Sequence, residues 1–228
     1  MTCCEGCTSC NGFSLLVLLL FGVVLNAIPL IVNRVEEGRF FQNPISCFEW
    51  WFPGIIGAGL MVVPATAASL AARKRACFNN KTGMFLSSLL NVITVLGAMY
   101  CMAVSAQALL QGPIICNSPG NRNSSCEFAF DKLRIENQSF NLQWFSNESC
   151  VLPSSLSPPT VNNATANGRN TYGLRFRDKE TKHKTIHFLV FSGLLVVGLL
   201  ELLFGVSQII IGFLGCLCGV SKRRNRIV

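Results

Sequence analysis

Four long apolar segments constrain the fold of this chain more than any other feature of its sequence. They are Phe13–Val32, Phe52–Ala72, Met84–Leu110 and Ile186–Cys218. A hydrocarbon core about 30 Å thick is crossed by roughly 20 helical residues, and each segment reaches that length. Membrane strands need only about 10 residues but require alternating polarity, which these segments lack. The sequence therefore predicts an all-α membrane protein that crosses the bilayer four times.

Composition and charge support this interpretation. Charged residues make up 13% of the 228 residues, whereas a soluble domain of this size usually has about 25%. The net charge is +8, but the basic residues cluster beside apolar segments, as at Arg73–Arg75 and Lys222–Arg226, with no interleaved aromatic stripe. These features argue against nucleic acid as a partner. No basic residue precedes the first segment and no A-x-A site follows it, so we expect a retained helix and no cleaved signal peptide.

The segments between the helices predict the orientation. Residues 33–49 and 73–83 form short connections, whereas residues 111–184 form a large loop with a flexible insert, rich in Pro, Asn, Ser and Thr, at 153–173. The large loop carries cysteines and four N-glycosylation motifs, at Asn123, Asn137, Asn147 and Asn163. Glycans and paired cysteines belong to the lumenal or extracellular side. The Cys-rich N-terminus (1–12), the 73–83 loop and the basic tail (219–228) are then cytosolic, in agreement with the positive-inside rule.

Local charges oppose this orientation at two helices. No Lys or Arg precedes the first helix, whereas Arg34 and Arg39 follow it, and five basic residues precede the fourth helix where four follow. A fifth glycosylation motif, Asn80-Lys81-Thr82, lies in the predicted cytosolic loop. It is either a chance tripeptide or a sign that a fraction of molecules inserts in the inverted orientation under some conditions. A glycan on Asn80 would distinguish the two hypotheses.

Small and polar residues recur along one side of each predicted helix. Membrane helices associate through close packing of small residues and through polar contacts, because lipid tails are as apolar as leucine. The repeat is seven residues long, which predicts a left-handed four-helix transmembrane bundle with crossing angles near roughly +20°. The residues predicted to form helix-packing or partner contacts are Gly22, Asn26, Asn91, Gly198, Glu201, Gly205, Gln208 and Gly212.

Several of these residues leave alternatives open. Gly22 and Asn26, four residues apart, form either a core contact or a docking face for the helix of another protein. Asn26 and Gln208 lie at comparable depths, and we expect them to form a hydrogen-bonded pair. Glu201 is the only acidic residue inside a predicted span, where an ionisable group is either a structural, hydrogen-bonded carboxyl or part of a proton or ion pathway.

Of the 12 cysteines, Cys101 lies inside the third predicted span, and the others divide between the two predicted sides of the membrane. Four crowd the cytosolic edge of the first helix and are predicted palmitoylation sites: Cys3, Cys4, Cys7 and Cys10. Their spacing also resembles a metal or cluster motif, but no histidine or second cysteine pair completes it, so we expect no metal. Four others belong to the opposite side, where spacing cannot choose among three pairings: Cys47, Cys116, Cys126 and Cys150. No catalytic or cofactor motif occurs, so we expect no enzyme and no cofactor.

Several segments resemble the transmembrane 4 L six family of tetraspanin-like membrane proteins. The carriers are MTCCEGCTSC at the start, EWWFPGIIGAGLMVVPA at the second helix, and LLELLFGVSQIIIGFLG in the fourth. The Cys-Cys-Gly motif of true tetraspanins is missing from the large loop. The resemblance implies a non-catalytic organiser of other membrane proteins. It also implies a disulfide between Cys116 and Cys150, which leaves Cys47 and Cys126 as an additional bridge.

Together these features predict a four-span membrane scaffold or adaptor that regulates the trafficking, signalling or proteolytic processing of other membrane proteins. Expected partners are integral membrane proteins bound through transmembrane faces, membrane lipid, and further copies of the chain. The alternative is a channel or transporter subunit with Glu201 in a polar pathway. Arg224-Asn225-Arg226 resembles an endoplasmic-reticulum retention signal but also an ordinary basic flank, so the predicted location is the endoplasmic reticulum or the plasma membrane.

Overall fold

The structure, a computed structural model, describes the backbone of residues 3–37, 45–74, 81–114, 143–146 and 166–218. Side chains are described for residues 10–35, 45–70, 85–114, 144–145 and 178–214. The α-helices are α1 (Cys3–Glu37), α2 (Val63–Lys74), α3 (Lys81–Gln111), α4 (Gln143–Ser146) and α5 (Ala166–Cys218). A 3₁₀ helix (Cys47–Trp51) and a π-helix (Pro53–Leu60) precede α2. These described residues contain no strand.

Among the described residues, four helical segments are long and apolar enough to cross a membrane. They are Cys10–Val35, Cys47–Leu70, Phe85–Gln111 and Asp178–Leu214. The prediction of an all-α protein with four spans is therefore confirmed.

The helices extend beyond the predicted boundaries. The long helix α5 begins at Ala166, so residues 166–173, which we predicted to be part of a flexible insert, are helical. Adding a residue to an existing helix avoids the cost of nucleation, and the residues that follow include several Arg, Lys and Glu, which favour helix. The long apolar part of α5 can therefore support a polar N-terminal extension of the helix.

The second span starts with distorted helical turns. Phe52 adopts a left-handed backbone conformation (φ 42°), and Pro53 follows at the start of the π-helix. The widened turn is visible where the Met61 N–H donates to the Ile56 carbonyl, five residues back, at 3.1 Å. A residue as bulky as phenylalanine is strained in this region of backbone space. The distortion precedes a glycine-rich stretch, Pro53–Leu60, that approaches its neighbours closely.

The chain forms two compact units, which we describe separately. The first comprises Met1–Ala27, Phe52–Ala103 and Gly193–Val228, and the second comprises Ile28–Trp51 and Val104–Ser192. The core of the first unit is made of small and aliphatic side chains, chiefly Leu15, Ala58, Val62, Ala65, Ala98, Cys101 and Leu194. The core of the second unit includes aromatic side chains, among them Phe48, Trp51 and Phe191. Large apolar side chains cover much of the exposed helical surface, as expected for helices that face lipid.

Candidate functional site: the polar and glycine-lined interior of the first unit

In the first unit, helix α1 and the π-helix pack so closely that there is no room for a side chain at their glycines. A Cβ atom placed on Gly22 would lie 2.7 Å from the Cβ of Ala58, and one placed on Gly54 would overlap the carbonyl oxygen of Gly22. Asn26 Oδ1 accepts a hydrogen bond from the Gly54 N–H at 3.0 Å. The N–H groups in the first turn of a helix have no partner within that helix, so Asn26 supplies one from α1. Of the two alternatives for Gly22 and Asn26, the structure places both residues in the interior, where they are buried.

The π-helix and α3 are in contact through a reciprocal pair of glycines. A Cβ atom on Gly57 would lie 2.7 Å from the Gly97 carbonyl oxygen, and one on Gly97 would lie 2.6 Å from the Gly57 carbonyl oxygen. Only glycine permits the two backbones to approach so closely, and this approach allows weak Cα–H···O interactions between the helices. We did not predict this pair from the sequence. The signal was available in the Gly54–Gly57 spacing of the second span, which puts two residues without side chains on adjacent turns.

Helices α3 and α5 pack along the predicted glycine repeat. A Cβ atom on Gly198 would lie 3.2 Å from the Ala98 carbonyl oxygen, and one on Gly205 would lie 3.1 Å from Val95 Cγ2. As residue numbers increase along α5, those of the facing residues on α3 decrease, so the two helices run antiparallel here. Gly212, the third glycine of the repeat, is only half-buried.

The predicted hydrogen bond between Asn26 and Gln208 is wrong. Gln208 Nε2 donates instead to the Ser69 hydroxyl on α2, at 3.3 Å, while Asn26 contacts Gly54. Each of the two side chains therefore bonds to the second span. The distance of each residue from the end of its helix predicts that the two lie at the same depth in the membrane. It does not show which helix lies between them.

Glu201 is fully buried in the first unit, as are Asn91 and Thr94 on α3. Both carboxylate oxygens of Glu201 lack a hydrogen-bond partner among the described residues, and so do Asn91 Oδ1 and Thr94 Oγ1. The amide nitrogen of Asn91 donates to the Ser87 carbonyl at 2.8 Å, within its own helix. The described side chains therefore do not provide the hydrogen bonds expected of a purely structural carboxyl. Buried polar atoms usually have partners, so these four oxygens need an explanation.

In the second unit, α4 and α5 together cap the C-terminal end of α3. Trp144 Nε1 donates to the Leu109 carbonyl at 2.9 Å, and His187 Nε2 lies 2.9 Å from the Ala108 carbonyl, to which it donates when Nε2 carries a proton. The two rings meet edge to face with centroids 5.2 Å apart. Gly112, with φ +71°, ends the helix beneath the indole. The last carbonyls of a helix need outside donors, and these two side chains provide them.

This cap was only partly visible in the sequence. The Gln111-Gly112 pair at the end of the third apolar segment is a typical helix stop signal. Trp144, by contrast, is separated from α3 by residues of the large loop, and nothing in its local sequence indicates its partner.

Replacing Gly112 with alanine is expected to weaken this cap. A Cβ atom at this position would lie 2.8 Å from Trp144 Cγ, and an L-residue is strained at positive φ, so we expect a loss of about 1–3 kcal/mol. Thermal unfolding of the purified protein in detergent would measure the loss.

The same change made in a Trp144→Ala background separates the clash from the backbone strain, because the ring is then absent. If Gly112→Ala costs as much stability in that background as in the wild-type chain, backbone strain alone is responsible. A Gly112→Ala variant that loses no stability in either background would contradict the described cap.

A compact turn precedes the second span. Glu49 Oε1 accepts the Ser46 N–H at 3.0 Å, and the Ser46 hydroxyl accepts the Phe48 N–H at 3.3 Å, an arrangement related to the capping box. Cys47, within this turn, is disulfide-bonded, whereas Cys10 and Cys101 form no disulfide. The partner of Cys47 therefore lies outside the described side chains, and its pairing with Cys126 stays a prediction.

Several predicted sites fall outside the described residues. They are the glycosylation sites Asn80, Asn123, Asn137, Asn147 and Asn163, and the loop cysteines Cys116, Cys126 and Cys150. The side chains of Cys3, Cys4 and Cys7 are also outside, while Cys10 is exposed. Among the residues that the structure does describe, no group of three His, Cys, Asp or Glu side chains could hold a metal ion.

Comparisons with known proteins agree with this architecture. The sequence profile of the L6 membrane protein family matches residues 2–222. The chain is 68% identical over 229 residues to transmembrane 4 L6 family member 20 of Homo sapiens, and 66% identical over 230 residues to that of Bos taurus, with all of each chain covered. It is 38% identical to member 5 of Homo sapiens over 116 residues, which are 49% of this chain and 58% of that protein. No solved structure matches the chain. With the family profile covering nearly its whole length, this four-span chain belongs to the L6 membrane protein family.

Proposed function

We propose that this protein is a non-catalytic membrane scaffold that binds other integral membrane proteins and regulates their trafficking, signalling or processing. The observation that carries the proposal is the contrast between its interior and its surface. The interior of the first unit is closed by backbone contacts, most tightly between Gly57 and Gly97. Large apolar side chains point outward from the same helices. Such a molecule has little interior room for chemistry but a wide surface on which a partner helix can pack.

Helix α1 offers the most open of these surfaces. In the most apolar part of the span Cys10–Val35, 22% is buried. The corresponding values are 56% for the span Cys47–Leu70 and 39% for each of the spans Phe85–Gln111 and Asp178–Leu214. In the first unit, the exposed side chains of α1 include Leu20, Phe21 and Val24, each more than half exposed. We define these three residues as the outer face of α1. Since lipid gives no hydrophobic drive for helix association, a partner would bind here through van der Waals packing.

A comparison of binding partners between two matched triple variants tests this proposal. The first replaces Leu20, Phe21 and Val24 with alanine, and the second replaces the exposed α5 residues Leu203, Ile210 and Phe213. Both sets lie on exposed surfaces of the first unit, so both variants should fold. We expect proximity labelling in cells to lose a defined subset of neighbouring membrane proteins only in the α1 variant. Identical neighbour sets for wild type and the α1 variant would remove this face from the proposal.

The alternative function, a channel or transporter subunit, rests on the unpartnered oxygens of Glu201. A buried ionisable group in a membrane helix is a functional candidate by default. The test is conductance of the purified protein in planar bilayers, with Glu201→Gln as the comparison. We expect no specific conductance in either protein, because the glycine contacts close the surrounding interior. A wild-type conductance that Glu201→Gln abolishes would favour the channel over the scaffold.

We further propose that both termini face the cytosol, that the large loop is glycosylated and disulfide-bonded, and that Cys3, Cys4, Cys7 and Cys10 are acylated. The sequence motifs support these assignments. Single Asn→Gln changes at each glycosylation motif, read by gel shift with and without endoglycosidase H, test the orientation. Glycan restricted to the large loop supports it, with resistance indicating passage through the Golgi to the plasma membrane and sensitivity indicating the endoplasmic reticulum. Glycan on Asn80 would show an inverted population.

A further inference from the structure

Four buried oxygen atoms on neighbouring turns of α3 and α5 have no partner among the described residues. They are the two carboxylate oxygens of Glu201, Asn91 Oδ1 and Thr94 Oγ1. All three side chains have 0% of their surface exposed. The set contains one carboxylate, one amide oxygen and one hydroxyl, from two different helices of the first unit. Such a concentration of unmatched acceptors is unusual, because buried polar groups are normally satisfied.

The glycine contacts place these residues together. Gly198 faces Ala98 of α3, and Gly205 faces Thr94, with 3.6 Å between its added Cβ and Thr94 Cγ2. Glu201 follows Gly198 by three residues and precedes Gly205 by four, so all three share one face of α5. Glu201 therefore emerges from α5 opposite the stretch of α3 between Thr94 and Ala98. Asn91 lies one turn further along the same face of α3.

The oxygens do not satisfy one another. A threonine hydroxyl can donate a hydrogen bond, so Thr94 would be bonded to Glu201 if the two were within hydrogen-bond distance in a suitable geometry. The two side chains make no such bond, and the amide nitrogen of Asn91 is directed at the Ser87 carbonyl. The glycines at 198 and 205 add no side chains between the helices. The four oxygens thus lie in the interior of the first unit without a hydrogen-bond partner among the described residues.

We propose that Asn91, Thr94 and Glu201 form a binding site for a single sodium ion. Hard cations prefer carboxylate, amide and hydroxyl oxygens. One monovalent cation would neutralise the one carboxylate and leave the interior uncharged, as a low-dielectric environment requires. A divalent ion would leave an excess positive charge, and a water molecule would not neutralise the carboxylate. A bound proton would neutralise it, and the dependence of stability on the salt cation distinguishes sodium from a proton.

This site is independent of the proposed scaffold function. A sodium ion held between α3 and α5 would stabilise their packing without crossing the membrane. Failure of the sodium experiment would leave the outer face of α1 and its partners untouched. Loss of partners in the α1 variant would, in turn, leave sodium binding intact.

Direct ion binding and thermal unfolding in lipid nanodiscs test the site. The wild-type chain is expected to bind one radioactive sodium ion per molecule, and to unfold at a higher temperature in sodium chloride than in potassium or choline chloride of equal concentration. Glu201→Gln and Thr94→Val, both close in shape to the original residues, are expected to weaken binding by at least about tenfold. Ser69→Ala, which changes a buried hydroxyl of α2 bonded to Gln208, is the matched control and should bind sodium as wild type does.

The proposal is overturned if wild type binds no sodium, or if the three salts give the same unfolding temperature. It is also overturned if Thr94→Val binds sodium as tightly as Ser69→Ala does. If Glu201→Gln fails to fold, Thr94→Val and the wild-type stoichiometry still decide the question. Stronger stabilisation by potassium than by sodium would refute the ion assigned here.

Discussion

Replacing Gly54 with alanine is expected to destabilise the protein more than any other single methyl addition in the first unit. The new Cβ would overlap the Gly22 carbonyl oxygen and lie 2.8 Å from both Asn26 Cβ and Leu194 Cδ2. Two of these three atoms belong to the backbone or to a Cβ, which cannot rotate away. We expect α1 to separate from the π-helix at a cost of about 3 kcal/mol. Reversible unfolding in mixed micelles would measure the loss.

Gly205→Ala is the matched control for this experiment. Its added Cβ would lie 3.1 Å from Val95 Cγ2, the end of a side chain, and 3.9 Å from the Asn91 carbonyl oxygen. The valine can shift by a few tenths of an ångström, so we expect a change below about 1 kcal/mol. If Gly54→Ala and Gly205→Ala lost the same stability, the described close contact between α1 and the π-helix would be wrong.

Replacing Asn26 with leucine is expected to produce the second large effect. The side chains are similar in size, but leucine cannot accept the hydrogen bond that the Gly54 N–H donates at 3.0 Å. That N–H would remain buried without a partner, because it lies in the first turn of its helix. Leaving a buried donor unsatisfied costs about 1–3 kcal/mol. The same micelle unfolding assay measures the difference in the free energy of unfolding.

The pair Gln208 and Ser69 provides the comparison for Asn26. Their hydrogen bond, at 3.3 Å, joins two side chains, so the double variant Gln208→Leu/Ser69→Ala removes donor and acceptor together. Removing both partners of this bond leaves no backbone N–H unsatisfied, so we expect a smaller loss than for Asn26→Leu. A loss in the double variant equal to that of Asn26→Leu would contradict the special role of the backbone N–H at Gly54.

The four spans could be predicted because bilayer thickness sets a requirement for length and polarity that is visible in the sequence. The glycines at 198 and 205 were found for a similar reason, since a seven-residue repeat has one structural interpretation in a membrane helix. Gly212 shares the repeat but is half-buried. A periodic pattern gives the direction of a face but not the length over which a neighbouring helix covers it.

Other contacts could not be predicted from local patterns. The Asn26 acceptor is directed at a backbone N–H that becomes available only because the chain enters the π-helix after the left-handed Phe52. Our prediction chose Gln208 as the partner because it compared the depths of polar side chains only and did not consider backbone N–H groups. Trp144 and His187 reach α3 from distant parts of the chain, and only their tertiary positions make them a helix cap.

A photo-cross-linking scan along α1 tests the central claim that a closed interior carries a partner-binding outer surface. A small photoreactive amino acid would replace Leu20, Val24 or Leu15 in turn, and adducts would be resolved by mass. Leu20 and Val24 are more than half exposed, whereas Leu15 is fully buried in the first unit. We expect a discrete adduct with another membrane protein from Leu20 and Val24, and only intramolecular products from Leu15. Partner adducts from Leu15, or lipid adducts alone from both outer positions, would contradict the claim.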